Sequence, residues 1–581
     1  MGWYYRFYAH TDAGERASLA TLSRYGNYVQ LSNLALICIL LVVRAAFWLW
    51  DLLLSRKHPP ASYEAVAAFK LDGEEEKNVL IGTRPHARKV RQLNWWLNRK
   101  LRLAGLDLGT RTQFIIGSTC AAWLLCLSFL ETGDNYNQLC KRFAMVAVAL
   151  FPIQVSLSMR FVNPFAYLLR SSHVDLTLWH RLLGNAIQIL LTCHTALYIN
   201  KYIQLGGLSD AFHSPVVITG GIAFMSLSFL SLTSLAIVRQ TSYRVFFIVH
   251  ILVASTLHVV IFFHVKPARI YVVQALGISL LDRALRRWQT ANVRALLEVV
   301  PDTDLIKITA TISSRLVEKL QRRPGSHVYV SIPPRSRPVP ENQFAKANLV
   351  FNFISGPLTV GSVNVRNLEL ILVARRRNGP MTRQLDSLAC RSSSGGGEED
   401  SAMSAALLRI EGPYGGPGTY SSILSRGGFD SVLIFVGGIG MTFGLPIYQY
   451  TLQQSTKAHV NMVWSVRHLK NTAWAPPSVL RDQRMHIFVT GKYPMMHGEE
   501  QARPDLSTCC VTGETLLGIR HSHQRPNLEK IIGDALEAID EGRLAVLVCG
   551  PLELKQELQE HVCSQVRRGR DVWWHDETFS R

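Results

Sequence analysis

The sequence predicts a multi-pass α-helical membrane domain of about seven transmembrane helices, followed by a β-barrel domain and an α/β nucleotide-binding domain. Three observations predict it. Long apolar runs alternate with basic loops up to about residue 288. Short β-branched runs separated by turn residues follow, and after about residue 430 strands, glycine turns and helices alternate. The expected boundaries are 1–110 for an N-terminal segment with the first helix and a basic loop, 111–288 for the main membrane domain, 289–428 for the barrel and 429–581 for the α/β domain. A chain of 581 residues is too long for one core, and 48% apolar with only 18% charged residues points to membrane segments rather than a wholly soluble protein.

The apolar runs at 31–54, 112–130, 143–159, 175–199, 216–238, 244–264 and 269–285 are each long enough to cross or nearly cross a hydrocarbon core. Asp282 and Arg283 close the last one early. Trp48 and Trp50 suit an interfacial belt, and Arg44 suits a snorkelling position near a helix end. The net charge of +20 raises nucleic-acid binding as a reading, but the basic residues bracket the apolar runs. They are therefore assigned to cytoplasmic loops, with no nucleic-acid partner expected. The basic stretch from Arg56 to Arg111 belongs inside and the loop at 131–141 outside. Arg160, Arg170, Arg239, Arg244, Arg283, Arg286 and Arg287 fall inside again; Lys266 and Arg269 are exceptions outside. This places the C-terminal domains in the cytoplasm. The ten cysteines show neither a zinc spacing nor a disulfide framework, and the adjacent Cys509 and Cys510 read as incidental. No signal peptide, glycosylation sequon or EF-hand loop is evident.

Four histidines stand out. His180 and His194 share one span, His250 and His264 another, and both pairs are 14 positions apart. Fourteen steps of about 100° return to within about 40° of the starting direction, so each pair shares a helix face. The members of a pair lie roughly 21 Å apart along the helix, most of the way across a core of about 30 Å. Because both spans run in the same direction, His180 faces His250 at one depth and His194 faces His264 at another. Two facing imidazoles hold a haem iron from both sides and leave it fully ligated, which suits electron transfer. His258 is about 80° off the face of His250, and His173 sits where the helix starts; neither is counted as a ligand. Arg181 is equally compatible with a haem propionate and with a plain anchor.

A haem relay carries single electrons whereas a nicotinamide delivers a hydride, so a flavin is required between them. Candidate FAD contacts are Pro357, Leu358 and Thr359, then Gly379, Met381 and Thr382. The run from Arg323 to Val330 is a further turn of suitable composition. The run Gly437-Gly438-Ile439-Gly440-Met441-Thr442 follows a buried strand and opens a helix, so its amides face a phosphate. The NADPH contacts assigned are Gly437, Gly438, Gly440, Met441, Thr442, Ser465, Arg467, Gly550 and Pro551, with Arg467 suited to the 2′-phosphate. Cys549 ends a strand where the nicotinamide would lie.

Together these features resemble the ferric (metallo)reductase family of fungal type, within the superfamily that includes the superoxide-producing NADPH oxidases. The resemblance runs from about residue 110 to the C-terminus. It rests on the two His pairs, Trp179-His180-Arg181-Leu182-Leu183-Gly184, Pro324 to Tyr329, Glu411-Gly412-Pro413-Tyr414-Gly415, the run from Gly437 to Gly440, Cys549-Gly550-Pro551 and the tail Glu577-Thr578-Phe579. It implies a ferredoxin-reductase-like FAD barrel, FAD, two b-type haems and NADPH. It also implies that Phe579 covers the flavin until nicotinamide displaces it, with Cys549 beside the reacting ring. The family's His/Asn-Pro-Phe-Thr flavin motif reads Gly356-Pro357-Leu358-Thr359 here, without the polar first residue and the aromatic. The implied activity is NADPH-dependent reduction of ferric or cupric chelates across the membrane ahead of metal uptake. The alternative is a superoxide-generating oxidase using oxygen. Equal spacing of the two pairs resembles the metalloreductases more. The expected partners are lipid and a metal chelate, and a homo-oligomer is compatible with the sequence. The plasma membrane is the expected location, with an internal membrane such as the vacuole as the alternative.

Overall fold

The structure is a computed structural model that describes residues 5–8, 12–57, 92–93, 95–103, 106–161, 163–169, 173–336, 355–377, 379–394, 405–415, 429–454, 458–491, 514–516, 519–539 and 542–577. The chain folds into two compact units, Met1–Arg283 and Ala284–Arg581.

In the first unit the apolar runs become helices: α1 (Asp12–Lys57), α2 (Arg111–Phe129), α3 (Tyr136–Ala149), α4 (Phe151–Ser158), α5 (His173–Gln204), α6 (Pro215–Thr233), α7 (Tyr243–His264) and α8 (Arg269–Gln289). A short antiparallel hairpin, β1 (Lys100–Leu103) with β2 (Leu106–Thr110), leads into α2. Among the described residues, five spans are long and apolar enough to cross a membrane: Arg111–Phe129, Tyr136–Ser158, Leu176–Gln204, Pro215–Thr233 and Val245–His264. The first and seventh expected spans are also helical but are not among those five. In α8 the reason is charge: Arg269, Asp282, Arg283, Arg286 and Arg287 all fall within it.

Local chemistry sets the helix ends. Thr110 and Gln113 form a reciprocal capping box at the start of α2, and Asn135 accepts from the Gln138 amide at the start of α3. The expected span at 143–159 proves longer and broken. It starts at Tyr136 and is interrupted at Leu150, ahead of Pro152, which lacks an amide hydrogen and so ends one helix and opens the next. Asp282 is buried, and its Oδ1 accepts the amides of Arg160 and Phe161, fixing the end of α8 to the turn after α4.

Arg142 is fully buried. Its Nη1 donates to the carbonyls of Leu127 and Leu130 at 3.4 and 3.0 Å, and its guanidinium lies 3.5 Å from the Tyr25 ring centre. One side chain of α3 thereby holds α1 and the end of α2.

The second unit opens with a closed antiparallel barrel of order β3-β4-β7-β6-β5-β8. Its strands are β3 (Thr290–Val299), β4 (Leu305–Thr311), β5 (His327–Ser331), β6 (Gly356–Asn364), β7 (Glu369–Arg375) and β8 (Ala406–Tyr414). Alternate residues such as Ile306, Ile308 and Ala310 point into its core. Helices α9 (Ser314–Gln321) and α10 (Pro380–Ser394) attach to it. The stretch expected to be unstructured from Arg391 is helical up to Ser394; residues 395–401 lie outside the described residues.

A seven-stranded sheet follows, of order β12-β13-β11-β10-β9-β14-β15. It comprises β9 (Ser431–Gly437), β10 (His459–Val466), β11 (Met485–Val489), β12 (Glu514–Leu516), β13 (Ile519–Ser522), β14 (Arg543–Cys549) and β15 (Asp571–Glu577). All pairs are parallel except β12 with β13. Helices α11 (Met441–Gln454), α12 (Leu528–Glu537) and α13 (Leu552–Arg567) connect its strands. Central β9 and β14 are almost wholly buried and apolar, as a parallel sheet covered on both faces requires.

Replacing Arg142 with Leu removes both carbonyl contacts and the ring contact. We expect a loss of about 1–3 kcal/mol of bundle stability, read as a lower midpoint in a thermal gel-filtration assay of the full chain, with unchanged FAD content.

Candidate haem, flavin and nicotinamide sites

The four histidines are on α5 and α7, and the structure brings them together as two levels. His180 and His250 have ring centres 6.2 Å apart. An iron at about 2 Å from each facing nitrogen sets two ring centres roughly 6 Å apart. His194 lies within electrostatic reach of His264 at the other level.

Each ring has its Nδ1 occupied by a neighbouring helix. The Nδ1–H of His180 donates to the Gln154 carbonyl at 2.9 Å, that of His194 to the Cys140 carbonyl at 2.8 Å, and that of His264 to the Val216 carbonyl at 2.9 Å. The Ser234 hydroxyl donates to the Leu230 carbonyl and so presents its lone pair to His250 Nδ1, 3.1 Å away. A proton on Nδ1 leaves the lone pair on Nε2, the form that binds iron. Gln154 closes a second bond, its Nε2 donating to the His180 carbonyl at 3.0 Å. Gly220 permits α6 to approach α7: a Cβ there would meet His264 Cε1 at 2.7 Å. Among the described residues no cluster of three or more His, Cys, Asp or Glu could hold a metal. Two imidazoles per level therefore fit an iron that arrives with its other donors already in place, as in a porphyrin. His258 faces elsewhere, its ring 5.3 Å from Phe151.

In the barrel, Pro357, Leu358 and Thr359 lie on β6 opposite Tyr329, Val328 and His327 of β5. A Cβ on Gly356 would touch Met381 at 3.8 Å, so the start of α10, with Gly379 and Thr382, closes on the same end of β6. The Thr382 hydroxyl donates to the Gly379 carbonyl at 3.0 Å. The rings of His327 and Tyr329 lie 6.0 and 5.4 Å from Tyr414. Ser326 Oγ is buried with no hydrogen-bond partner among the described residues, as is Trp474 Nε1. Trp474 and Thr442 of α11 both pack against Gly361 of β6, at 3.2 and 3.6 Å from where its Cβ would stand. The two candidate cofactor regions thus adjoin within one unit, and buried polar atoms without partners suit a cradle for a polar ligand.

The nicotinamide candidates collect at the carboxyl ends of β9, β14 and β10, the edge where open α/β sheets bind ligands. Gly437 ends β9, and a Cβ there would stand 2.6 Å from Pro551. Gly438 has φ +55°, and its carbonyl accepts from Trp464 Nε1 at 2.9 Å. A Cβ on Gly440 would stand 2.4 Å from the Cys549 carbonyl. Met441 and Thr442 open α11. Ser465 is in register with Gly437, and Arg467 follows β10, exposed. Cys549 is fully buried, and burial pushes its thiol up to about 12, so it stays neutral. Lys555 of α13 is also buried and donates to the Glu577 carbonyl, tying down the end of β15. Phe579 lies outside the described residues, as do Thr578, Cys509 and Cys510.

The description "Ferric reductase like transmembrane component" matches residues 143–263 and "Ferric reductase NAD binding domain" matches residues 429–563. These two matches mark a ferric-reductase-like membrane component and a ferric-reductase-type nucleotide-binding domain within the chain. Similar proteins include a Scheffersomyces stipitis protein named "Probable metalloreductase AIM14", 20% identical over 79% of this chain and 85% of the relative. Another is "Ferric reductase transmembrane component 1" of Schizosaccharomyces pombe, 22% identical over 77% and 81% of the two chains. Among solved structures, the Malassezia yamatoensis flavohemoglobin is 13% identical with a TM-score of 0.32, over 74% of this chain and 96% of that one. The protein is an oxidoreductase with a membrane domain and a nicotinamide-dinucleotide-binding domain.

Sequence reasoning missed Gln154, Cys140, Val216 and Ser234, which orient the histidines, and Trp474 and Lys555, whereas Ser326 lies in the Arg323–Val330 run it had singled out. Of those missed, the Ser234 hydroxyl and the Lys555 ammonium were the polar signals on offer. Two outcomes are expected. Gly440→Ala forces the turn off the Cys549 carbonyl and weakens nucleotide binding about tenfold or more, measured by equilibrium dialysis of NADP+. Cys549 resists alkylation by iodoacetamide at about pH 8 in the folded protein, measured by mass spectrometry.

Proposed function

We propose that this protein carries electrons from cytosolic NADPH through FAD and two bis-histidine b-type haems to ferric or cupric chelates on the far side of the membrane, in support of metal uptake. The reading rests above all on four imidazoles whose Nδ1 atoms are all engaged, at two levels on parallel-running α5 and α7. The names of the fungal relatives, metalloreductase and ferric reductase, supply the acceptor class.

FAD supplies the change from hydride to single electrons, and the haems supply the one-electron path through the apolar core. The chain's own residues do the placing. The turn from Gly437 to Gly440 offers amides and a helix start to the NADPH phosphates. Arg467 takes the 2′-phosphate. Cys549, neutral and buried, keeps charge out of the sheet edge where the nicotinamide would lie. Ser326 and Thr359 offer hydroxyl donors to FAD, Thr382 offers its hydroxyl lone pair from the turn it closes on Gly379, and Phe579 covers its ring. The eight-residue departure of His258 from the ligand positions leaves it a packing role. The cytoplasmic face is assigned from the distribution of Lys and Arg, and the plasma membrane from the resemblance to the ferric reductases.

Three measurements test this. Detergent-solubilised protein should show a low-spin b-type spectrum, and His194→Ala should remove one of two haem contributions; an unchanged spectrum refutes the ligand assignment. Whole cells should yield ferrous chelate from ferric chelate with superoxide dismutase present; loss of that signal on adding the dismutase would point to oxygen as acceptor. Arg467→Ala should raise KM for NADPH about tenfold while leaving that for NADH nearly unchanged, measured by steady-state kinetics.

A further inference from the structure

Apart from the haem and nucleotide residues, two imidazoles meet where β13 ends. His521 Nε2 lies 3.1 Å from His523 Nε2, and the two ring centres are 4.9 Å apart with 78° between the ring planes. Residues two apart on a strand share a face, so these histidines fall together while Arg520 and Ser522 alternate to the other side. His521 is buried and His523 exposed. The Nδ1–H of His521 donates to the Ile519 carbonyl at 3.2 Å. A proton on Nδ1 leaves a lone pair on Nε2, on the side of His523. The two distances together describe how the nitrogens point. In a straight N–H···N bond the ring centres would stand roughly 5.4 Å apart, since each centre lies about 1.15 Å behind its nitrogen. The shorter 4.9 Å shows that the rings tilt off that line. An ion about 2.05 Å from both nitrogens, with the donors roughly 100° apart, sets the nitrogens about 3.1 Å and the ring centres about 4.9 Å apart. Both distances match.

We infer that His521 and His523 chelate a divalent transition-metal ion of the zinc or copper(II) class. Imidazole nitrogen suits those ions, whereas calcium and magnesium take oxygen donors. Among the described residues no third His, Cys, Asp or Glu joins the pair, so water completes the shell and the ion is exchangeable. Glu514 of β12 is the register partner of His521, which puts an acidic position across the ladder. The ion takes the place of the single proton shared by the two Nε2 atoms. That proton moves to Nδ1 of His523, both imidazoles stay neutral, and no electron is transferred. β13 pairs with β11 only through Ile487 with His521 and Phe488 with Ser522, so the ion clips a short ladder at its end. The row of Ser522 and Phe488 continues through Ser465 to Gly437. The clip therefore fastens the same carboxyl edge that gathers the nucleotide contacts. The site is independent of the electron acceptor.

The test uses full-length, haem-loaded protein in detergent, stripped of loose metal with EDTA, desalted and kept without NADPH. Zinc chloride binding is read by calorimetry. Copper(II) at less than one equivalent is read by electron spin echo spectroscopy, which separates one bound imidazole from two. The native protein should bind zinc, and its copper signal should carry two imidazoles. His523→Gln changes an exposed side chain and should leave the fold and haem spectrum intact. It should weaken zinc binding about tenfold or more, since losing a ligand costs at least what losing a ligand's orienting partner does. His459→Gln, exposed at the opposite end of the sheet, should bind zinc as the native protein does. Zinc should also slow amide hydrogen exchange over residues 519–523 in the native protein and not in His523→Gln. Equal zinc affinity in the native protein and His523→Gln overturns the site, as does a copper signal with one imidazole in the native protein. Exchange over 519–523 that zinc leaves unchanged, in protein that binds the ion through both histidines, overturns the clip.

Discussion

A histidine can hold iron in an apolar core only if its other ring nitrogen has a partner there. All four candidate ligands meet this condition in the same way, through Nδ1 and an oxygen on a neighbouring helix. α5 and α7 therefore do not form the site alone. α3 and α4 supply oxygens to α5, and α6 supplies them to α7. The partner positions repeat the geometry of the ligands: Cys140 and Gln154 are 14 residues apart, as are His194 and His180, with the chain running the other way. The break at Leu150 and Pro152 lies between these two contacts, so α3 and α4 can each adjust to one level.

The second unit meets a different constraint with small residues rather than hydrogen bonds. Gly437, Gly440 and Gly550 let two backbone segments converge at one sheet edge, with no room for a side chain between Gly440 and the Cys549 carbonyl. Gly361 does the same where β6 meets Trp474 and Thr442. Barrel and sheet are thus joined where a flavin and a nicotinamide would have to meet for hydride transfer, at a distance only close backbone approach allows.

Those two constraints explain what was legible in the sequence. The histidine pairs could be read because the imidazole itself carries the chemistry and helical geometry fixes which pairs share a face. The strands β9, β10, β11 and β14 could be read because burial on both faces leaves unbroken apolar runs. The oxygens that orient the histidines could not be read, because three of the four are backbone carbonyls and any residue offers one. The division of the 143–159 span into α3 and α4 had a signal in Pro152. The start at Tyr136 did not, since Asn137, Gln138 and Arg142 look too polar for a span and are buried only through tertiary contacts. Asp282 read as the end of a helix. It proved to be a buried acceptor for two amides, a role set by a turn more than 120 residues away in sequence.

Charge at the far end of the bundle follows from the same accounting. Basic residues gather on one side of a membrane protein, and those that depart from the rule carry either an internal partner or an external one. Arg269, one of the exceptions, has an internal partner: its Nε donates to the Phe262 carbonyl at 3.0 Å, and it rests 5.0 Å from the centre of that ring. Lys201 rests over the rings of Tyr198 and Tyr202, 5.7 and 5.9 Å from their centres, and a ring face attracts a cation by about 0.5–1 kcal/mol where water has access.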